Sequence, residues 1–165
     1  MCILISLLMA VLYVGAAIII KKKLPDSISS MVYILPEGGW RWLWTVWIWL
    51  TGLLLIAPLM NAMPENWKFI AFLTIGCLMF CGAMPIFIED NHKWHNILGI
   101  AAGILSQVCV AFISPCWLSV WILWPFLMGS TVIQPDGGDM REMFSGKGIF
   151  VAEAICFITL CGCLI

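Results

Sequence analysis

Charge is the scarcest property of this 165-residue chain. It has 8 Lys or Arg and 9 Asp or Glu residues, a charged fraction of 10% and a formal net charge of −1. Soluble domains carry about 25% charged and roughly 45–50% apolar residues, whereas 63% of this chain is hydrophobic. The composition excludes an ordinary soluble domain, and the near-neutral charge gives no reason to expect a nucleic-acid partner. The expected surrounding is the lipid bilayer.

Several catalytic and metal-binding signatures are missing as well. The 8 Cys include no C-x-x-C pair, so neither a zinc ribbon nor a thioredoxin-like redox site is expected. The H-E-x-x-H zinc motif, the G-x-S-x-G nucleophile motif and the P-loop are also absent. We therefore interpret the cysteines as small packing residues, and the sequence identifies no catalytic residue.

Long apolar segments are what the sequence does contain. A helix needs about 20 apolar residues to cross roughly 30 Å of hydrocarbon. The segments that approach this length are residues 2–20, 42–60, 69–88, 97–114, 116–133 and 148–165. Pro115 separates the fourth from the fifth and predicts a tight hairpin, because proline cannot continue the helical hydrogen-bond ladder. The expected fold is one all-α domain, a bundle of six transmembrane helices.

The basic residues predict the orientation of this bundle. Seven of the 8 Lys and Arg lie in alternate gaps between the apolar segments, and only Lys68 lies in another gap. By the positive-inside rule those gaps face the cytosol, so both termini are expected on the opposite side. The loops are short and N-glycosylation triplets are absent. A bacterial inner membrane is the expected location.

Both histidines of the chain lie in one polar stretch. In a helix, Glu89, His92 and His95 would recur at intervals of three and share a broad face. Asp136 and Asp139 have the same spacing in another cytosolic gap. Imidazole and carboxylate groups together bind zinc, iron or manganese, so these five residues form a candidate site for a divalent metal. A solvated polar loop, whose His and carboxylate groups mark the membrane interface, is the favoured interpretation, and the metal site is the alternative.

Glu153 is the only charged residue well inside an apolar segment. A carboxylate there is costly, by ~2.5–3.5 kcal/mol for Asp at a helix centre, and marks a functional hypothesis. It is expected to bind a proton or cation, to pair with Lys147, or to accept hydrogen bonds from a neighbouring helix. Gln107 and Trp124 are the other candidate ligand or proton residues. Gln107 would otherwise form an interhelical hydrogen bond, and Trp124 would belong to a cavity for a flat apolar molecule or an ammonium group.

Two further patterns concern packing. Gly99 and Gly103 form a G-x-x-x-G motif, which predicts a close helix contact within the chain or between the copies of a homo-oligomer. The apolar run within the first cytosolic gap, residues 27–35, is too short to span. It predicts a short helix lying in the membrane interface, capped by Asp26 or Ser27.

Three functional hypotheses follow. The leading one is a non-enzymatic membrane protein that binds or passes a small ligand or ion at its cytosolic side. The second is a metal-dependent membrane enzyme acting on a lipid or an isoprenoid. The third is a structural or accessory subunit of a membrane complex, docked through Gly99, Gly103 and the first cytosolic loop.

Overall fold

The structure is a computed structural model that describes residues 1–22, 27–33, 41–87, 92–132 and 147–165. Within these ranges the regular structure is helical and contains no strand, so the predicted all-α class is confirmed. The α-helices are α1 (Cys2–Lys21), α2 (Arg41–Ala62), α3 (Lys68–Phe87), α4 (His92–Ile113), α5 (Leu123–Val132) and α6 (Lys147–Gly162). Short 3₁₀ helices cover Ser29–Tyr33, Glu65–Trp67 and Pro115–Ile122.

Helix length and composition support a membrane protein. Four helical stretches in the described ranges are long and apolar enough to cross a membrane: Cys2–Ile20, Trp42–Ala62, Glu65–Met84 and Lys93–Ile113. Two further apolar stretches, Pro115–Leu127 and Gly148–Gly162, are shorter. Six spans and the positions of the termini therefore stay predictions.

Large apolar side chains also cover the outside of the bundle. Leu4, Leu8 and Leu12 of α1 and Ile100 and Ile104 of α4 are all exposed. Water would penalise a continuous apolar surface of this kind, whereas hydrocarbon does not. The outer surface is thus suited to lipid contact.

The fourth and fifth segments differ in detail from the sequence prediction. The helix α4 begins at His92 rather than near residue 97, so a polar stretch forms its first turns. The fifth segment is a 3₁₀ helix from Pro115 to Ile122, followed by α5 with only 10 residues. This break places Pro125 in the first turn of α5, where its missing N–H costs no intrahelical hydrogen bond.

The chain reverses direction at Pro115, as predicted. Ser114 is extended, with φ −158° and ψ 86°. Across the turn, Trp121 Nε1 donates a hydrogen bond of 2.8 Å to Gln107 Oε1. These two residues are equidistant from Ser114 along the chain, so the fifth segment runs antiparallel to α4.

The helix α3 packs between α2 and α4, while α1 lies against α2 and α6 lies against α4. Leu55, Ile75, Val110 and Leu160 belong to the main buried cluster, which joins α2, α3, α4 and α6. At the α2–α3 contact, Thr45 Oγ1 donates a hydrogen bond of 2.6 Å to the Gly82 carbonyl oxygen.

The 3₁₀ helix Ser29–Tyr33 packs against the bundle, and its predicted position at the depth of the membrane interface stays a prediction. Met31 and Val32 are 1% and 0% exposed, and Val32 packs in a cluster with Trp44 and Ile48 of α2. The segment buries its apolar side chains between helices, where they contact protein on all sides instead of water on one.

Candidate ligand cavity

A cavity of about 310 Å³ lies among α1, α2, α3, α4 and α6. Pockets that bind small molecules range from about 300 to 1,000 Å³, so this one is large enough for a small organic molecule. Most of its wall consists of apolar side chains, and Glu153 is the only charged residue among the described residues that line it. Ile28 and Ser29, at the start of the buried 3₁₀ helix, also line the cavity.

The carboxylate of Glu153 holds this 3₁₀ helix in place. Its Oε2 accepts hydrogen bonds from the backbone N–H groups of Ile28, at 2.5 Å, and Ser29, at 3.2 Å. Its Oε1 accepts a hydrogen bond of 2.7 Å from Ser29 Oγ. Of the three structural roles expected for Glu153, the described contacts show the acceptance of hydrogen bonds, although the donors belong to a loop and not to a neighbouring transmembrane helix.

Positive charge is missing beside Glu153 in the described part of the chain. There the ion pair is Lys68–Glu65, at 2.6 Å, and Glu153 has no cationic partner. The predicted ion pair with Lys147 stays a prediction, because the structure describes only the backbone of that residue. The hydrogen bonds from Ile28 and Ser29 therefore stabilise the carboxylate without neutralising it.

Tryptophan rings form another part of the cavity wall. Trp44, Trp47 and Trp124 all line it. The centroids of Trp44 and Trp47 are 5.4 Å apart, and Tyr13 stacks on Trp47 at 4.3 Å. Trp124 Nε1 donates to the Gly148 carbonyl oxygen at 3.1 Å, which fixes this ring against α6. Trp124 and Glu153 thus line the same cavity.

Two indole N–H groups at this wall lack a partner. Trp44 is 1% exposed, and neither its Nε1 nor that of Trp47 has a hydrogen-bond partner among the described residues. The hydroxyl of Tyr13 is also buried without one. Buried polar groups usually have a hydrogen-bond partner. The polar groups of Tyr13, Trp44 and Trp47 are therefore exceptions to this rule.

Gln107 uses its hydrogen bonds to join helices. Its Oε1 accepts from Trp121 Nε1 at 2.8 Å and from Thr159 Oγ1 at 3.1 Å. Its Nε2 donates to Ser106 Oγ at 3.1 Å and to the Cys156 carbonyl oxygen at 3.4 Å. All four positions of the amide are occupied, which supports the interhelical interpretation over a ligand role.

His95 lies inside the bundle, only 2% exposed. Its Nδ1 is 3.1 Å from the Cys81 carbonyl oxygen and 3.5 Å from Cys81 Sγ. A carbonyl oxygen can only accept, so Nδ1 carries a proton and cannot take one from the thiol. The other ring nitrogen, Nε2, lies 3.9 Å from Cys81 Sγ. Sequence reasoning missed this contact because it depends on how α3 and α4 pack.

The structure does not describe the side chains of the other candidate metal ligands. Glu89, Asp136 and Asp139 lie outside the described residues, and of His92 only the backbone is described. Among the residues that the structure describes, no group of three or more His, Cys, Asp or Glu could hold a metal ion. The divalent metal site stays a prediction.

Gly99 and Gly103 face neighbours within the chain. A Cβ at Gly99 would lie 3.6 Å from Cys81 Sγ of α3, and one at Gly103 would lie 3.7 Å from Cys156 Sγ of α6. Both glycines also line the cavity. The G-x-x-x-G face of α4 is thus turned toward the interior of the bundle.

In the described ranges, these features together define a helical bundle with helices of membrane-spanning length and a partly open, mainly apolar cavity among them. Comparisons with protein-family models, curated proteins and solved structures find no match for this chain. The functional conclusion therefore depends on the geometry of the cavity.

Proposed function

We propose that this chain is a non-enzymatic membrane protein that binds a small ligand in the cavity beneath the 3₁₀ helix Ser29–Tyr33. The observation that carries the proposal is the carboxylate of Glu153 at the wall of an otherwise apolar cavity of about 310 Å³. Protein interiors are close-packed and contain few voids larger than a water molecule. An apolar space of this size with one charged contact favours an occupant with an apolar body and one polar group.

The proposed setting is a six-span bundle in a bacterial inner membrane, with both termini away from the cytosol. Glu153 near the start of α6 contacts Ser29 in the loop after α1. This contact brings the end of α1 and the start of α6 to the same face of the bundle, as six alternating spans require. The ligand site then lies on the cytosolic side.

The direction of the last segments agrees with this topology. Gly103 faces Cys156, and one turn further along both helices Gln107 bonds Thr159, so α4 and α6 run parallel. The fifth segment lies between them in sequence and runs antiparallel to α4. The metal-dependent enzyme and the accessory subunit stay alternatives that no contact in the described ranges favours.

A cavity-filling substitution tests the proposal. Gly103→Leu adds a side chain at the cavity wall, whereas Gly15→Leu makes the same change where a Cβ meets nothing within 4 Å. The purified protein is heated in detergent with three single-ring probes: neutral neopentylbenzene, cationic benzyltrimethylammonium and anionic benzenesulfonate. A probe that binds only the folded protein raises its thermal stability.

We expect at least one probe to stabilise the parent protein and Gly15→Leu. The affinity of Gly103→Leu for that probe should be at least roughly tenfold lower, which is equivalent to about 1.4 kcal/mol of binding free energy. Ala152→Leu fills the same cavity from α6 and replaces Gly103→Leu if that variant does not fold. Binding that is equal in all variants, or absent in the parent protein, would overturn the proposal.

A further inference from the structure

We infer that the ligand of this cavity is an apolar organic cation of the substituted-ammonium class, with its positive charge beside Glu153. This inference rests on the proposed function and names its ligand class. It follows from three observations: the carboxylate of Glu153, the absence of a second charged side chain among the described residues of the wall, and the tryptophan rings.

The first observation is a carboxylate that has no cationic partner in the described part of the chain. A carboxylate offers about four acceptor positions, and the described contacts of Glu153 use three of them, all from neutral donors of Ile28 and Ser29. A buried charge is costly unless an opposite charge accompanies it. One acceptor position and the whole counter-charge are left for a ligand at the cavity wall.

The second observation is that the described wall has no second charged ligand beside Glu153, which disfavours a bare inorganic cation. Calcium takes 6–8 oxygen ligands and magnesium demands an octahedral set. Besides Glu153, the described wall offers the neutral hydroxyls of Thr51, Thr74 and Ser106, which also donate to backbone carbonyl oxygens of their own helices, at 2.9, 2.8 and 2.6 Å. A wall with one carboxylate cannot replace a hydration shell, whereas an alkylated ammonium group has little hydration to replace.

The third observation is aromatic. Trp44, Trp47 and Trp124 line the same cavity as Glu153. The face of an indole ring attracts cations, and tryptophan does so most strongly of the aromatic residues. Ionised Glu153 repels an anionic ligand, and a neutral ligand supplies no counter-charge to that form of the carboxyl. A cation with an apolar body matches both the carboxylate of Glu153 and the tryptophan rings.

The test uses two probes of the same shape. Benzyltrimethylammonium and neopentylbenzene differ only in the replacement of the quaternary nitrogen by carbon. Binding is measured from the thermal stabilisation of the purified protein in detergent at increasing probe concentration. Because partition into detergent is the same for every variant, it cancels when the ratio of the two affinities is compared between variants.

Glu153→Gln removes the charge and can keep the fold. The amide oxygen can accept from the N–H groups of Ile28 and Ser29, while the amide nitrogen donates to Ser29 Oγ, so all three contacts survive with one reversed. Glu153→Asp keeps the charge and serves as the conservative variant. Glu65→Gln is the matched control, because Glu65 is 84% exposed and pairs with Lys68 outside the cavity.

We expect the preference, defined as the affinity for the cation relative to the neutral probe, to be at least roughly tenfold higher in the parent protein than in Glu153→Gln, an effect in the range of one close charge pair. Glu153→Gln should abolish this preference, while Glu153→Asp and Glu65→Gln retain it. A preference that survives Glu153→Gln would overturn the assignment of the charge to Glu153.

The remaining outcomes separate this inference from the proposed function. Equal binding of both probes, lost in Gly103→Leu but unaffected by Glu153→Gln, would overturn the ligand class and leave the cavity as a binding site. If neither probe binds the parent protein, the assignment of the ligand to the substituted-ammonium class is overturned. If all three probes of the cavity-filling experiment also fail to bind, the proposed function falls with it.

Discussion

Gly82 provides a sharp test of the packing that frames the cavity. A Cβ at this position would lie 2.6 Å from Cγ2 and 2.9 Å from Cβ of Ile48, a residue of the cavity wall. An ordinary contact between carbon atoms is about 3.5–4.0 Å. Because the Cβ of Ile48 does not move when its side chain changes rotamer, relief requires α2 and α3 to separate by roughly 1 Å.

The cost of Gly82→Ala can be compared with that of Gly76→Ala. Overpacking costs about 1–3 kcal/mol, and the replacement of glycine by alanine in a helix recovers about 0.8–1.0 kcal/mol. Gly76 lies on the same helix, and a Cβ there meets nothing within 4 Å. Gly76→Ala should therefore be stabilised by the higher helix propensity of alanine, with no overpacking cost. We expect the free energy of unfolding of Gly82→Ala to be about 1–3 kcal/mol lower than that of Gly76→Ala.

Unfolding by sodium dodecyl sulfate in mixed micelles, followed by circular dichroism, measures this difference. An energy gap of this size changes the unfolding equilibrium constant by a factor of roughly 5 to 150. Gly82→Ala should also weaken the binding of any probe that the parent protein binds, since Ile48 must shift. Equal stability of the two alanine variants would refute the close approach of α2 and α3 at Gly82.

Further predictions concern polar contacts between helices. Thr45→Val removes the hydrogen bond to the Gly82 carbonyl oxygen and should lower the free energy of unfolding by about 0.6 kcal/mol, up to about 1.7. Thr51→Val is the control, since that hydroxyl bonds its own helix; an equal loss in both variants would contradict the interhelical role. Gln107→Leu and Trp121→Phe should be coupled by roughly 0.5–3 kcal/mol in a double-mutant cycle of the same unfolding measurement, and additive effects would show that the bond between them contributes nothing.

Local features of the sequence account for much of the fold. Membrane-spanning character is a sum of transfer free energies over a continuous window, so the apolar segments are visible without knowledge of their neighbours. The turn at Pro115 is also local, because it follows from the missing N–H and fixed φ of one residue. The polar start of α4 at His92 was missed, since hydropathy marks apolar stretches and not helix ends.

The parts of the cavity were only partly visible in the sequence. Glu153 and Trp124 could be selected as unusual residues in apolar segments, because a buried charge or a deep indole is conspicuous wherever it occurs. The donors to Glu153 could not be identified, since Ser29 lies 124 residues away along the chain. Likewise, the contact between Cys81 and His95 depends on the relative position of α3 and α4.

By itself, the sequence determined that this chain forms apolar helices, where one turn falls, and that one carboxylate lies within an apolar segment. The tertiary structure decided which side chains face one another: Glu153 and Ser29, Gly103 and Cys156, and the tryptophans around the cavity. The physical reason is that helices in lipid are apolar on every face. No hydrophobic periodicity then distinguishes the inner face from the outer one, and the close packing of small and polar residues selects the partners.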